Sequence, residues 1–162
     1  MFAPRLRAHA EKLLADARAK GLKIATAESC TGGLIAGLLT EIPGSSDVFE
    51  RGFVPYSNQA KEELLGVPAA LIRQHGAVSE QVARVMAEGA IRNSTAQLSV
   101  AVTGIAGPGG GSDDKPVGLV HIAAARAGEA TLHRECRFGD IGRTEVRLQS
   151  VEVAVEMLKQ LL

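Results

Sequence analysis

The sequence predicts an α/β domain whose mixed sheet is covered by helices on both faces. Three observations carry this. Short apolar runs of strand character alternate with stretches of helical period. The first of these runs ends in a tight Gly/Ser/Thr turn that leads directly into a helical pattern. Late in the chain, two runs flank Ala127-Gly128-Glu129, a hairpin signal, so one strand pair is antiparallel.

The elements follow in order. Leu6, Ala10, Leu13, Leu14 and Ala17 recur at helical spacing and Gly21 stops the pattern, which makes an opening amphipathic helix. Leu22 to Ala27 reads as the first strand. Thr31 is expected to cap a helix carrying Leu34, Ile35, Leu38 and Leu39, which ends before Pro43-Gly44. Gly52 to Tyr56 is the second strand, and Pro55, lacking a ladder donor, pushes it toward a sheet edge or a strand end. Ser57 caps a helix closed by Gly66, and Pro68 suits the first turn of a shorter helix that stops near Gly76. Val82, Ala83, Val85, Met86, Ala90 and Ile91 form a helical stripe ending near Asn93. Leu98 to Val102 is a buried strand that opens into a glycine-rich loop. Val117 to Ala125 and Ala130 to Phe138 make the hairpin. A last helix runs from about Arg143 with Val151, Ala154, Val155, Leu158 and Leu162 on its apolar side.

A chain of 162 residues is expected to form one domain spanning 1–162, since a domain takes about 100–200 residues. Eighteen Lys and Arg balance eighteen Asp and Glu, which removes the uniform positive field of sequence-independent nucleic-acid binding. Aromatic residues make up only 3%, so base-stacking platforms are missing too, and no nucleic-acid partner is expected. No apolar run reaches about 18 residues, and charged residues interrupt the amino terminus, which argues against a membrane span and a signal peptide. Cys30 and Cys136 are too few for a disulfide framework. A cytoplasmic location is expected.

In sheets of this class, ligands sit beyond the carboxyl ends of the strands. That rule selects 28–33, 56–61 and 103–111. Ser29 stands between a strand and a turn, Thr31-Gly32-Gly33, whose orphan amides can hold an anion or an oxyanion. A cap for the following helix is the ordinary role of a Ser or Thr there, and Cys30 is a rival nucleophile, because a helix amino terminus lowers a thiol pKa. A serine nucleophile needs a proton acceptor. His9, His75, His121 and His133 are scattered and form no catalytic or metal signature, so no metal site is expected. Lysine is the other base that burial brings toward neutrality, and Lys61 lies one turn into the helix capped by Ser57. A helical lysine is ordinarily a solvated surface group. The run from Thr103 through Gly111 lacks the Gly-Lys-Ser/Thr ending of a P-loop and the third glycine of a dinucleotide fingerprint. Its amides, with Lys115 or Arg143, could still receive a phosphate monoester.

Six motifs occur in order: Thr26 to Gly33 (TAESCTGG), Pro43 to Ser46 (PGSS), Gly52 to Asn58 (GFVPYSN) with Ala60-Lys61, His75 to Ser79 (HGAVS), Thr103 to Pro108 (TGIAGP) and Lys115 to Gly118 (KPVG). Together they resemble the CinA carboxyl-terminal domain family, the bacterial nicotinamide-mononucleotide deamidases also called PncC. The resemblance runs from about Leu22 to the last helix. It implies a three-layer α/β/α sandwich with a mixed, mostly parallel sheet. It also implies hydrolysis of the carboxamide of nicotinamide mononucleotide to nicotinate mononucleotide and ammonia, a salvage step in pyridine nucleotide metabolism. The implied machinery is a Ser/Lys amidase with Ser29 as nucleophile and Lys61 as general base. Tyr56 is implied as a supporting catalytic group or the alternative base. Thr31, Gly32, Gly33, Ser46, Thr103, Gly104 and Arg143 are implied around the substrate. Neither metal nor organic cofactor is implied. Some relatives carry an added amino-terminal domain, and this chain resembles the stand-alone form. The resemblance points to a homodimer. Pro55 stands where many members have another residue. A non-catalytic nucleotide-binding module tied to competence or DNA damage is the alternative, and release of ammonia discriminates the two.

Overall fold

Side-chain alternation along the inner strands decides how the layers stack. A computed structural model describes all 162 residues. The order of elements is α1 (Pro4–Ala19), β1 (Ile24–Glu28), α2 (Leu34–Thr40), β2 (Phe49–Phe53), α3 (Asn58–Leu65), α4 (Ala69–His75), α5 (Glu80–Arg92), β3 (Leu98–Gly104), β4 (Leu119–Arg126), β5 (Leu132–Arg137) and α6 (Arg143–Gln160). A single 3₁₀ turn, Ser45–Asp47, precedes β2.

The five strands lie in the order β2-β1-β3-β4-β5. β1 pairs in parallel with β2 and β3, while β3–β4 and β4–β5 are antiparallel, so β4 alone opposes the other four. This is the expected mixed, mostly parallel sheet. Ile24, Leu98, Val100, Val102, Val120 and Ile122 point to the face covered by α1, α2 and α6. Their neighbours Ala25, Ala27, Ala101, Ala123 and Ala125 point to the opposite face, covered by α3, α4 and α5. The small residues let α5 approach the sheet closely, and Ser99 Oγ donates to the Ala87 carbonyl of α5 at 2.6 Å. Helices on both faces complete the three layers.

Several boundaries differ from the sequence reading for identifiable reasons. β2 begins at Phe49 rather than Gly52, because the Ile24 amide already bonds the Val48 carbonyl at 2.8 Å. Pro55 consequently lies past the strand end, where its missing N–H leaves no ladder bond unmade. β1 starts two residues later than expected and runs on through Glu28. Pro68 is the N-cap of α4 rather than a residue of its first turn. Ser57 and Ser79 cap α3 and α5 by accepting from Ala60 and Val82 amides. No helix is long and apolar enough to cross a membrane.

The α3–α5 crossing depends on one glycine. A Cβ on Gly89 would lie 2.1 Å from the Leu65 carbonyl oxygen. Gly89→Ala is expected to cost about 1–3 kcal/mol through overpacking. The thermal midpoint should fall by roughly 2–4 °C per kcal/mol, as read in a melting curve. An unchanged midpoint would mean that the two helices part freely.

Candidate active site

The carboxyl ends of β1, β2 and β3 lie at one edge of the sheet, as their parallel registers require. The period-2 alternation of β1 then has a chemical consequence. Glu28 faces the α2 side, so the next residue, Ser29, faces the α3 side. The Ser29 amide continues the ladder by donating to the Val102 carbonyl at 2.9 Å, which fixes the serine beside the end of β3.

Lys61 reaches the same point from α3. Its position follows from the helix register: Lys61 and Leu65 are the buried residues of α3, and they lie one turn apart on a single face. Lys61 is only 2% exposed, and Nζ donates to Ser29 Oγ at 3.1 Å and to the Tyr56 carbonyl at 3.4 Å. No carboxylate forms an ion pair with it. Burial therefore holds its pKa below the ordinary lysine value, with only a small opposing influence from Cys30.

The pair opens into a cleft of about 230 Å³ whose lining includes Ser29, Tyr56, Asn58, Lys61, Thr103 and Arg143. The Arg143 guanidinium faces no acid in the lining, a setting that suits an anionic ligand. Arg143, at the start of α6, donates to the Gly107 carbonyl at 2.9 Å and to Tyr56 Oη at 3.1 Å, tying the glycine-rich loop to the tyrosine. Tyr56 is 60% exposed and offers its hydroxyl at the rim, while its carbonyl meets the lysine. Thr103 is buried, and its hydroxyl donates to the Ala77 carbonyl at 2.9 Å, so it braces the cleft wall. Gly104 also lines the cleft. A Cβ there would meet Val120 Cγ2 at 2.7 Å. A larger cavity, about 320 Å³ between the amino terminus and α6, contains none of these residues.

Other expected residues are placed elsewhere. Ser46 is exposed on the 3₁₀ turn between α2 and β2, at the amino ends of the strands. The seven residues of α2 carry the chain roughly 10 Å back along the sheet, away from the cleft. Thr31 does not cap α2. The N-cap is Gly33, with φ of 100°, and no side chain of the cap residue bonds there. Glu28 takes the capping role from inside the sheet, accepting the Ile35 amide at 2.7 Å and the Ala36 amide at 3.2 Å. Thr31 is fully buried, the Gly32 amide is engaged with the Ser29 carbonyl at 3.0 Å, and none of Thr31, Gly32 or Gly33 lines the cleft. The amide of Cys30, directly after the nucleophile, donates to no carbonyl, as is also true of the lining residues Ala77, Val78 and Ala106; the nearest acceptor to it is its own thiol. Lys115 is bound to the His75 carbonyl at the end of α4. No histidine lines the cleft; His121 and His133 bond each other at 2.9 Å on the hairpin.

Cys30 loses its case as a nucleophile. Burial pushes its thiol up to about 12, outweighing the Arg147 charge that would lower it.

Two residues escaped the sequence reading. Glu28 is a buried carboxylate whose pKa burial raises, against the opposing pull of the Ile35 and Ala36 amides and of Arg147. Arg147, one turn after Arg143, donates from Nε to the Cys30 carbonyl at 3.0 Å and from Nη2 to the Thr31 carbonyl at 3.1 Å. The signal for Glu28 was a charged residue ending an apolar strand. For Arg147 it was the i, i+4 pair of arginines at the start of a helix.

The profile of the CinA C-terminal domain matches residues 6–162. The chain belongs to the CinA C-terminal domain family. It is 51% identical over 144 residues to the nicotinamide-nucleotide amidohydrolase PncC of Escherichia coli K12, covering 88% of this chain and 86% of that protein. It is also 51% identical over 142 residues to a putative competence-damage inducible protein of Caldicellulosiruptor bescii, covering 87% of this chain but 34% of that longer protein. The chain thus spans about a third of that relative. Among solved CinA-family structures, the competence/damage inducible protein CihA of Agrobacterium tumefaciens is 55% identical, with a TM-score of 0.98 and coverage of 99% and 98%. A CinA superfamily protein of Escherichia coli is 34% identical, with a TM-score of 0.92 and coverage of 100% and 94%.

The buried thiols give a direct check. Cys30 and Cys136 are both free and buried, and burial raises both thiols. At pH 8 the native protein is expected to resist iodoacetamide, whereas denatured chain takes two alkyl groups, as counted by mass. Rapid native labelling of Cys30 would reinstate it as a nucleophile.

Proposed function

We propose that the protein is an amidohydrolase that converts nicotinamide mononucleotide to nicotinate mononucleotide and ammonia. The observation that carries this is the 3.1 Å contact between Ser29 Oγ and the buried, unpaired amine of Lys61. Support comes from the likeness to the amidohydrolase PncC over most of both chains.

In this reading the neutral Lys61 amine accepts the Ser29 hydroxyl proton as Oγ bonds to the carboxamide carbon. The carbonyl oxygen becomes an oxyanion, and the Cys30 amide, next to the nucleophile, is its donor. Collapse breaks the carbon–nitrogen bond, and Lys61 returns the proton to the departing amine, which leaves as ammonia. Water then attacks the Ser29 ester by the same route, giving the carboxylate and restoring the hydroxyl. Arg143 supplies charge for the substrate phosphate. Tyr56, held by Arg143 at the rim, positions the nucleotide, and Thr103 and Gly104 shape the wall.

The deciding assay compares ammonia release from nicotinamide, its riboside and its mononucleotide. Turnover of the mononucleotide far above the other two is expected, since only a phosphate-reading site rejects them. Ser29→Ala should reduce kcat by at least about 10³-fold. Lys61→Arg should be similarly inactive, because a guanidinium stays protonated at neutral pH. A mononucleotide-binding protein that releases no ammonia would instead be the regulatory module.

The lowered Lys61 pKa has two signed consequences. Activity requires the free amine, so kcat/KM is expected to rise with pH through a limb below the ordinary lysine value of about 10.4. Between the lowered folded pKa and the unfolded one, the unfolded chain binds more protons, so stability rises with pH in that window. Lys61→Met should therefore be at least as stable as the parent near pH 7 in a urea titration, although inactive. A clear loss of stability would mean that the ammonium is paired and favoured in the fold.

A further inference from the structure

We infer that Arg147 is a positioning residue that holds the turn after Ser29 so that the Cys30 amide is presented to the oxyanion. The inference rests on the amidohydrolase reading above. Cys30 lies between two peptide units. In the first, the Ser29 carbonyl accepts the Gly32 amide at 3.0 Å. In the second, the Cys30 carbonyl accepts Arg147 Nε at 3.0 Å, and the next carbonyl, of Thr31, accepts Nη2 at 3.1 Å. Each trans peptide is planar, with its N–H opposite its C=O, so anchoring a carbonyl also aims the amide of the same unit. Anchoring the units on both sides of Cys30 fixes its two backbone dihedrals. The Cys30 N–H, which no carbonyl accepts, can then turn from its own thiol to the oxyanion with little reorganisation of the turn when charge develops.

Local glycines make this external anchor necessary. Gly32 and Gly33 have φ of 58° and 100°, in the left-handed region that gives the turn little stiffness of its own. The guanidinium packs directly on the turn: a Cβ on Gly32 would lie 3.3 Å from Arg147 Nη2. Arg147 does not line the cleft, whereas Arg143, one turn earlier on α6, does. The two arginines therefore divide the work of α6, one toward substrate and one behind the nucleophile turn. Glu28 secures the following segment from the same layer through the Ile35 and Ala36 amides. The fork geometry matters here, since one planar group must meet two successive carbonyls.

The test uses Arg147→Ala and Arg147→Lys in the full chain. Arg147→Ala is expected to lower kcat about 10²-fold, the scale of losing one oxyanion donor, with KM changed by no more than about threefold. Its affinity for an aldehyde analogue of the substrate, to which Ser29 adds reversibly to give a hemiacetal oxyanion, should fall by a similar factor. Guanidinium ion added in solution should restore part of kcat. Arg147→Lys, which keeps the charge but not the fork, should fall between the two, and it provides the same comparison if the alanine variant does not fold. A kcat within about threefold of the parent, or a loss carried by KM while aldehyde affinity is unchanged, overturns the inference. Failure of the underlying reading looks different: the unaltered protein would release no ammonia from any carboxamide. In that event a crystal structure of Arg147→Ala decides: a Cys30 N–H turned away from the cleft by rotation of the Ser29–Cys30 peptide supports the positioning role, and an unmoved one refutes it.

Discussion

The site depends on the reversal of side-chain direction between Glu28 and Ser29 at the carboxyl end of β1. One residue serves the layer of α2 and α6, and the next serves the layer of α3 and α5. Because the Ser29 amide is still bonded to Val102, the reversal occurs on a fixed backbone rather than in a loose loop. The carboxylate is thus sequestered as the cap of α2, where its charge meets two amides, and it stays out of the cleft. The hydroxyl meets the lysine instead.

This separation matters electrostatically. A carboxylate on the Ser29 side would pair with Lys61, stabilise the ammonium and raise the amine pKa. Keeping Glu28 on the other face leaves Lys61 with only a hydroxyl and a carbonyl as partners, so burial governs it. An unpaired buried amine opposes folding wherever it is protonated. The sheet and the α3–α5 packing supply the compensating stability, with Leu65, Val82, Met86 and the strand alanines forming the core of that face. The close α3–α5 approach at Gly89 belongs to the same arrangement, since α3 carries Lys61.

The alternation of strands and helices, the hairpin and the glycine stops of the helices were legible because each depends on local chemistry. Ser57 caps its helix, Gly66 closes α3 in a left-handed conformation, and the Gly128 turn joins antiparallel strands. Thr31 looked like a cap by the same logic and is not one, because the competing carboxylate arrives from within the sheet. β2 starts three residues before Gly52 because its start is set by pairing with Ile24, a contact between segments, rather than by its own composition. Ser46 sat in a recognisable motif, yet its distance from the cleft follows only from the direction in which α2 returns the chain.

The amino-acid sequence by itself determined the fold class, the three strand ends where chemistry gathers, and the residue types on hand there. These follow from periodicity, turn residues and short-range spacing, which act over one or two turns of chain. Only the tertiary structure decided that Lys61 touches Ser29 and that Glu28 and Arg147 brace the turn. Those contacts join residues 32 and 117 positions apart. They are set by strand order, pleat direction and helix packing, none of which is written in any single segment.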